Sequence, residues 1–312
     1  MITSSPHISI VVPVFAEAPN LHNLVEQIKK NVDLISETYE IIFVDDGSND
    51  ESWDVIKKIT TVMPEIKAVR FSRNFGKEYA LFAGLKEAKG DVVITIDSDM
   101  QHPPELIPVL YEMWKSQAAE VIDVIKKERQ HESLFNRIAA KLFYLTFDKL
   151  SGLDVSNSTD YKLLDRKVVD SLIQFQETHL FYRGLLVWMG FKHVNIKIEV
   201  NDRTRGVSKW GFTKLAKYAL NNIFNYSSKP LVLIGLFGLL FIISATILMF
   251  ISLIRLMTGT TLGGFPTVII LQLFIGGIII FSITLIGAYI AKIYDEVKSR
   301  PKYIIKERLD GE

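Results

Sequence analysis

No charged residue occurs between Leu231 and Ile254, and after Arg255 none occurs again from Leu256 to Ala291. Each run exceeds the roughly 20 apolar residues that cross a hydrocarbon core of about 30 Å. A pair of buried core helices could have the same composition. Two such runs, separated only by the Thr/Gly loop Thr258 to Gly264, would then need a very large soluble core. The runs therefore read as two transmembrane helices. Basic residues flank them unevenly. Arg205, Lys209, Lys214, Lys217 and Lys229 precede the first, Lys292, Lys298, Arg300, Lys302, Lys306 and Arg308 follow the second, and the loop region carries only Arg255. That asymmetry predicts cytoplasmic termini and an outward-facing hairpin tip. Met1 to Ile10 shows no basic region followed by a long apolar stretch, so no signal peptide is expected.

Ahead of the apolar runs, strand and helix patterns alternate. Ile8 to Val14, Glu40 to Val44, Lys67 to Phe71 and Val92 to Ile96 are short β-branched or aromatic runs, as buried parallel strands require. Leu21 to Asn31, Trp53 to Met63 and Tyr79 to Ala88 read as the helices between them, and Glu105 to Gln117 as another, opened by Pro103 and Pro104. The alternation predicts an α/β sheet with function at the carboxyl ends of its strands. Ser133 to Leu150 is amphipathic, and Gly211 to Ser228 mixes aromatic and aliphatic residues with Lys214 and Lys217. Directly before a membrane span, the latter reads as an interfacial helix. The expected organisation is a catalytic domain over 1–202, an interfacial segment over 203–230, two spans over 231–294 and a tail over 295–312.

Charge and cysteine content narrow the chemistry. The balance of 36 basic against 35 acidic residues points to no nucleic-acid partner. With no cysteine, disulfides, thiolate metal sites and a cysteine nucleophile are all excluded. Chemistry instead gathers at strand ends. The run Val92 to Ile96 leads into Asp97-Ser-Asp99-Met-Gln101. Residues two apart in extended chain share a face, so Asp97, Asp99 and Gln101 can converge. Hard oxygen donors of this kind suit Mg²⁺ or Mn²⁺, which take their remaining ligands from phosphates and water. A solvated acidic turn would look the same in isolation; the position after a buried strand and before His102-Pro-Pro favours the site.

Glu40 to Val44 ends similarly, in Asp45-Asp46-Gly47-Ser48, where a carboxylate can accept from a ribose or base and the glycine permits a tight turn. A plain turn with a cap would be compatible with that role. Ser72-Arg73-Asn74-Phe75-Gly76-Lys77 forms a third strand-to-helix turn with two cations, and Val14-Phe-Ala-Glu17 follows the first strand. Four such loops on one sheet edge describe a pocket for a nucleotide diphosphate.

The segments VVPVFAEAPN, VDDGSND, FSRNFGKEYALFAGLKEAKGDVVITIDSDMQHPPE and GVSKW resemble family 2 glycosyltransferases of the GT-A fold. Among these the chain is similar to polyprenyl-phosphate glycosyltransferases, relatives of dolichyl-phosphate mannose synthase. Its two-span C-terminus resembles bacterial bactoprenol glucosyltransferases and formyl-aminoarabinose transferases. The resemblance implies a GT-A nucleotide-diphospho-sugar transferase domain followed by interfacial helices and a two-helix transmembrane hairpin, in a multi-pass protein of the cell (inner) membrane. It also implies inverting, metal-dependent transfer of glucose from UDP-glucose to undecaprenyl phosphate, with GDP-mannose and UDP-linked aminosugars as alternative donors. Asp97, Asp99 and Gln101 would bind Mg²⁺ or Mn²⁺, while Pro13, Glu17, Asp46 and Lys77 would line the nucleotide-sugar pocket; Asp45, Asn74 and Asp97, in the same strand-end loops, are further candidates for it. Phe15-Ala16 departs from the Tyr-Asn more usual in the family.

A phosphate monoester acceptor has a second pKa of about 6, so it reaches the enzyme largely as a dianion and needs no strong base. It needs a cationic seat. Lys126, Lys127, Arg129, Arg137, Arg205 and Lys209 are the candidates, and Arg129 and Arg137 match the family's acceptor site best. Any one of them could instead attract anionic lipid. Asp160 matches the acid that related enzymes place beside the acceptor, or else pairs structurally with a cation, and Asp165-Arg166 reads as structural. A processive polysaccharide synthase is the nearest rival; it would carry Gln-x-x-Arg-Trp, and none of the four tryptophans here follows an arginine. A non-catalytic membrane adaptor fits the intact Asp97 and Asp99 poorly. The expected partners are thus a nucleotide sugar, polyprenyl phosphate and the bilayer, with a homo-oligomer open because small membrane hairpins often associate.

Overall fold

The computed structural model describes residues 7–35, 37–126, 158–178, 180–198, 229–258 and 265–310. The four apolar runs become β1 (Ile8–Val14), β2 (Tyr39–Asp45), β3 (Ile66–Phe71) and β4 (Val92–Thr95), paired in parallel in the order β4-β1-β2-β3. Every residue of β1 and β4 is buried, which is why neither shows a polar face in sequence.

The crossovers are α1 (Ala18–Val32), α2 (Ser52–Val62) and α3 (Lys77–Glu87), each within a few residues of its expected span. In α1, Leu21, Leu24, Val25, Ile28 and Val32 fall at helical spacing and are buried. α3 is buried over Ala80 to Leu85, and a Cβ on its Gly84 would come within 2.3 Å of Val11 Cγ1. Only glycine lets this helix lie so close to the sheet.

A 3₁₀ turn at Pro104–Leu106 and α4 (Ile107–Lys115) lead to β5 (Val121–Lys126). Next come β6 (Ser158–Asp165), α5 (Arg166–Leu172), α6 (Tyr182–Trp188) and β7 (His193–Ile198). β6 runs antiparallel to both β4 and β5, and β7 is parallel to β5. Asp165 caps α5 by accepting from the Lys167 amide and also accepts from Trp114 Nε1, a structural role.

Sequence patterns assigned no strand near the C-terminus, yet β8 (Ile305–Leu309) pairs antiparallel with β3 and completes an eight-stranded sheet, β7-β5-β6-β4-β1-β2-β3-β8. Glu307 accepts from Trp53 Nε1 at 2.8 Å and pairs with Lys57, while Tyr303 stacks on Phe71. Residues 210–299 form a separate compact unit. In it α7 (Lys229–Met257) and α8 (Phe265–Val297) meet through the rings of Phe241 and Phe274, 5.4 Å apart. Among the described residues, one stretch, Phe274–Val297, is long and apolar enough to cross a membrane. The expected helices over 133–150 and 211–228 lie outside the described residues.

Within the sheet, Lys162 of β6 is fully buried and bonded to Asp123 of β5, whose other oxygen meets His193 Nδ1 of β7 at 2.7 Å. Burial disfavours the charged carboxyl of Asp123, but His193 and Lys162 outweigh it and hold its pKa below the usual range. Breaking a buried pair from one side costs about 3–5 kcal/mol because a charge is left uncompensated. Lys162→Met should therefore lower the melting temperature of the full chain by roughly 6–20 °C. Adding Asp123→Leu should recover most of that loss; a single variant that melts like wild type would show the pair to be dispensable.

Candidate active site

The strand register builds the site. Thr95 of β4 lies opposite Lys162 of antiparallel β6, so the residues two beyond it on one strand and two before it on the other, Asp97 and Asp160, meet at the sheet edge. Thr95 Oγ1 donates to the Asp160 carbonyl at 2.5 Å and contacts the Tyr182 hydroxyl at 3.0 Å, fixing that junction.

Lys77, the first residue of α3, bridges the two acids. Its ammonium is 2.5 Å from Asp97 Oδ1 and 2.5 Å from Asp160 Oδ2. Arg183 of α6 takes the other oxygen of Asp160 through Nε at 2.6 Å. Asp160 is 8% exposed and Asp97 18%, whereas the Lys77 side chain is 43% exposed at the mouth of the cluster. Burial opposes ionisation of Asp160, but Lys77 and Arg183 hold its pKa far below the usual carboxylate range. Asp97 experiences the same opposition, overcome mainly by Lys77, and is held at about 2. Lys77 is raised in turn: desolvation is outweighed by Asp97 and Asp160. Glu78, beside them, is pushed up to about 7, chiefly by burial and by the Asp160 charge, and accepts from the Tyr182 amide at 2.9 Å at the start of α6.

Asp45 and Asp46 shape this edge. Asp45 is fully buried, accepts from the Ser48 amide and lies 3.2 Å from Arg70 Nε. Asp46 uses both oxygens on the Phe75 and Gly76 amides, at 2.7 and 2.9 Å, and so fixes the turn that presents Lys77. Burial raises both carboxyls despite these bonds. Gly47, at φ 68°, presses on that turn so closely that a Cβ would fall 2.4 Å from the Arg73 backbone. Two residues with side chains also adopt positive φ here, Ala16 and Met100, both at 57° and both next to candidate site residues. Such strain persists where the surroundings over-determine the backbone, and active sites are where it gathers.

The remaining candidates are spread along the same edge. Pro13 is buried in β1, Glu17 precedes α1 and accepts from Asn20, and Asn74 is exposed with its carbonyl accepting from Arg73. Lys126 ends β5 at the edge where β6 begins. Arg129, Arg137, Arg205 and Lys209 lie outside the described residues. Glu78 lies within a quoted segment and Arg183 outside them all, and neither is singled out by sequence; the β4–β6 register and the packing of α6 on α3 bring them to the site.

Asp99 Oδ1 accepts from the Gln101 amide at 3.1 Å across Met100, so the acidic turn is closed on itself. Among the described residues no cluster of three or more His, Asp, Glu or Cys side chains could hold a metal ion. Two carboxylates and an amide oxygen nevertheless fit a divalent cation that draws its other ligands from phosphate and water.

Comparison with known proteins identifies what the chain is similar to. Over 301 residues the chain is 37% identical to an uncharacterized glycosyltransferase, YkcC, of Bacillus subtilis, covering 96% of this chain and 93% of that protein. It is 36% identical over 307 residues to a prophage-derived bactoprenol glucosyl transferase of Shigella flexneri, covering 97% and 99%. Among solved structures it is similar to the mannosyltransferase PcManGT of Pyrobaculum calidifontis in complex with GDP-Man and Mn²⁺, at 16% identity and TM-score 0.48, covering 72% and 64%. The mixed α/β sheet is the GT-A fold, and the match to Glycosyl transferase family 2 spans residues 9–173, more than half of the chain. The protein is a glycosyltransferase and belongs to glycosyltransferase family 2.

Proposed function

We propose that this protein transfers glucose from UDP-glucose, with inversion, to polyprenyl phosphate at the cytoplasmic face of the cell membrane. The observation that carries the reading is near full-length similarity, at 36% identity, to a protein named bactoprenol glucosyl transferase. The cluster of Asp97, Lys77, Asp160 and Arg183 gives it a chemical basis. Asp97, Asp99 and Gln101 would hold Mg²⁺ or Mn²⁺; a bound divalent cation neutralises charge on the departing diphosphate. Lys77, at the mouth of the cluster, brings an ammonium to the same leaving group. Pro13, Glu17, Asn74 and the turn shaped by Asp45 and Asp46 would line the nucleotide. Lys126, Arg129, Arg137, Arg205 and Lys209 are the candidates for seating the lipid phosphate.

Connectivity supports a two-span anchor. β8 shares one sheet with β1 to β7, and α7 and α8 lie between them in sequence. A chain that leaves a folded domain and returns to the same sheet must cross a bilayer an even number of times. If Phe274–Val297 crosses, a second crossing is required, and the uncharged run in α7 from Leu231 to Ile254 is the candidate. The chain has no native cysteine, so single cysteines report cleanly. Thr260→Cys should react with an impermeant maleimide in intact cells, and Lys298→Cys only after permeabilisation. The opposite pattern would reverse the topology.

The decisive experiment for function incubates the full chain with undecaprenyl phosphate and UDP-glucose, GDP-mannose or UDP-linked aminosugars, and identifies the product by mass spectrometry. The expected product is glucosyl-monophosphoryl-undecaprenol. A mannosyl or aminosugar product would change the donor, and turnover without lipid would change the acceptor.

A further inference from the structure

His102 is buried, at 3% exposure, and neither of its ring nitrogens has a hydrogen-bond partner. It is one residue beyond Gln101, and its Nδ1 lies 3.5 Å from Asp97 Oδ2, the oxygen that Lys77 leaves free. The ring packs against Tyr161 at 5.6 Å, and the Tyr161 hydroxyl donates to the carbonyl of the next residue, Pro103. Packing alone would be served better by phenylalanine, which fills the same space without two buried polar atoms. Buried polar groups left unpaired are rare in native proteins and call for a reason. At 3.5 Å the contact with Asp97 is not a formed hydrogen bond, but a shift of a few tenths of an ångström in the carboxylate would make it one.

We propose that His102 is a positioning residue: its Nδ1–H fixes Asp97 Oδ2, so that the carboxylate is oriented when a divalent cation and a diphosphate arrive. Too buried to meet a ligand in the cleft itself, His102 acts through Asp97. Lys77 on one oxygen and His102 on the other then define the carboxylate's rotation. Hydrogen bonds to metal-binding carboxylates do this in general, and their loss lowers metal affinity by about 10–100-fold.

This rests on the proposed role of Asp97 in cation binding, so the test reads cation binding directly. Free Mn²⁺ is titrated by electron paramagnetic resonance into the full chain in detergent, with and without UDP or GDP. His102→Phe should weaken Mn²⁺ binding in the presence of nucleotide by about 10–100-fold, with a melting temperature no lower than wild type. His102→Asn, whose amide nitrogen can occupy the Nδ1 position, should recover most of the affinity; His102→Gln, which extends past it, should not. Wild-type affinity in His102→Phe overturns the proposal, leaving His102 as packing. Equal losses in the Asn and Phe variants overturn it too, since Nδ1 is then not the atom that matters. If the wild-type chain binds no Mn²⁺ with either nucleotide, the cation reading of Asp97 falls and the positioning role falls with it.

Discussion

Asp97→Asn is expected to abolish transfer, with turnover down by roughly 10²–10³-fold or more and the fold intact. The substitution keeps the shape of the side chain and removes the charge. Asp97, two residues beyond β4, meets the ammonium of Lys77 and the ring of His102 through opposite oxygens. Under the proposed roles, its loss removes a cation ligand and uncouples Lys77 from the donor side. The fold survives because Lys77 keeps Asp160 and stays partly solvated. Asp99→Asn should lose comparable activity through the cation alone, since an amide oxygen can still accept from Gln101 and hold the turn. Turnover in the presence of EDTA or of Mn²⁺ and melting of each variant separate the two roles. Equal wild-type activity in EDTA and in Mn²⁺ would remove the cation from the mechanism, and a drop in melting temperature would reassign Asp97 to the core.

Where burial and local pattern coincide, the fold was legible. β1 and β4 are contiguous and almost wholly apolar because every residue is buried, β3 keeps half-buried Lys67 and Arg70 among its apolar residues, and α1 carries its apolar residues at helical spacing. β8 was not legible. Ile-Lys-Glu-Arg-Leu reads as a charged tail because an edge strand keeps charge toward solvent, and its pairing with β3 is more than 200 residues distant in sequence. β7, His-Val-Asn-Ile-Lys-Ile, is only half covered and shows the same ambiguity.

At the site, the acidic turn and the Lys77 turn were readable as motifs at strand ends. Their connections were not. Asp46 reads in sequence as a strand-end carboxylate, but that both of its oxygens also hold the backbone of the neighbouring turn leaves no local signal. Arg183 is invisible without the register that sets Asp160 opposite Asp97, because charge pairing across 23 residues leaves no local signature.

That register also decides how Asp160 acts, as a base or as an electrostatic support. A base needs a free oxygen and a pKa near the working pH. Asp160 has neither: Lys77 occupies one oxygen, Arg183 the other, and both hold its pKa far down. A lipid phosphate already ionised at neutral pH asks for no proton to be removed. Asp160 is therefore expected to hold two cations in place, Lys77 toward the donor and Arg183 beside it. Asp160→Asn weakens two charge-assisted hydrogen bonds of about 1.5–3 kcal/mol each. If transfer depends on both cations staying in position, turnover should fall by at least about a hundredfold. Because the carboxylate stays ionised well below neutrality, the deficit should be level from about pH 8 to about pH 9, above the range in which Glu78, raised to about 7 partly by the Asp160 charge, titrates. A lost base behaves otherwise: its deficit shrinks as pH rises and solvent takes over proton removal. Arg183→Gln should be damaging alone but add little in the Asp160→Asn background, as expected for residues that act as one unit. Rate–pH profiles of the three variants, with donor affinity measured alongside, test this directly. A deficit in Asp160→Asn that closes toward high pH, or full additivity with Arg183→Gln, would return Asp160 to the role of general base.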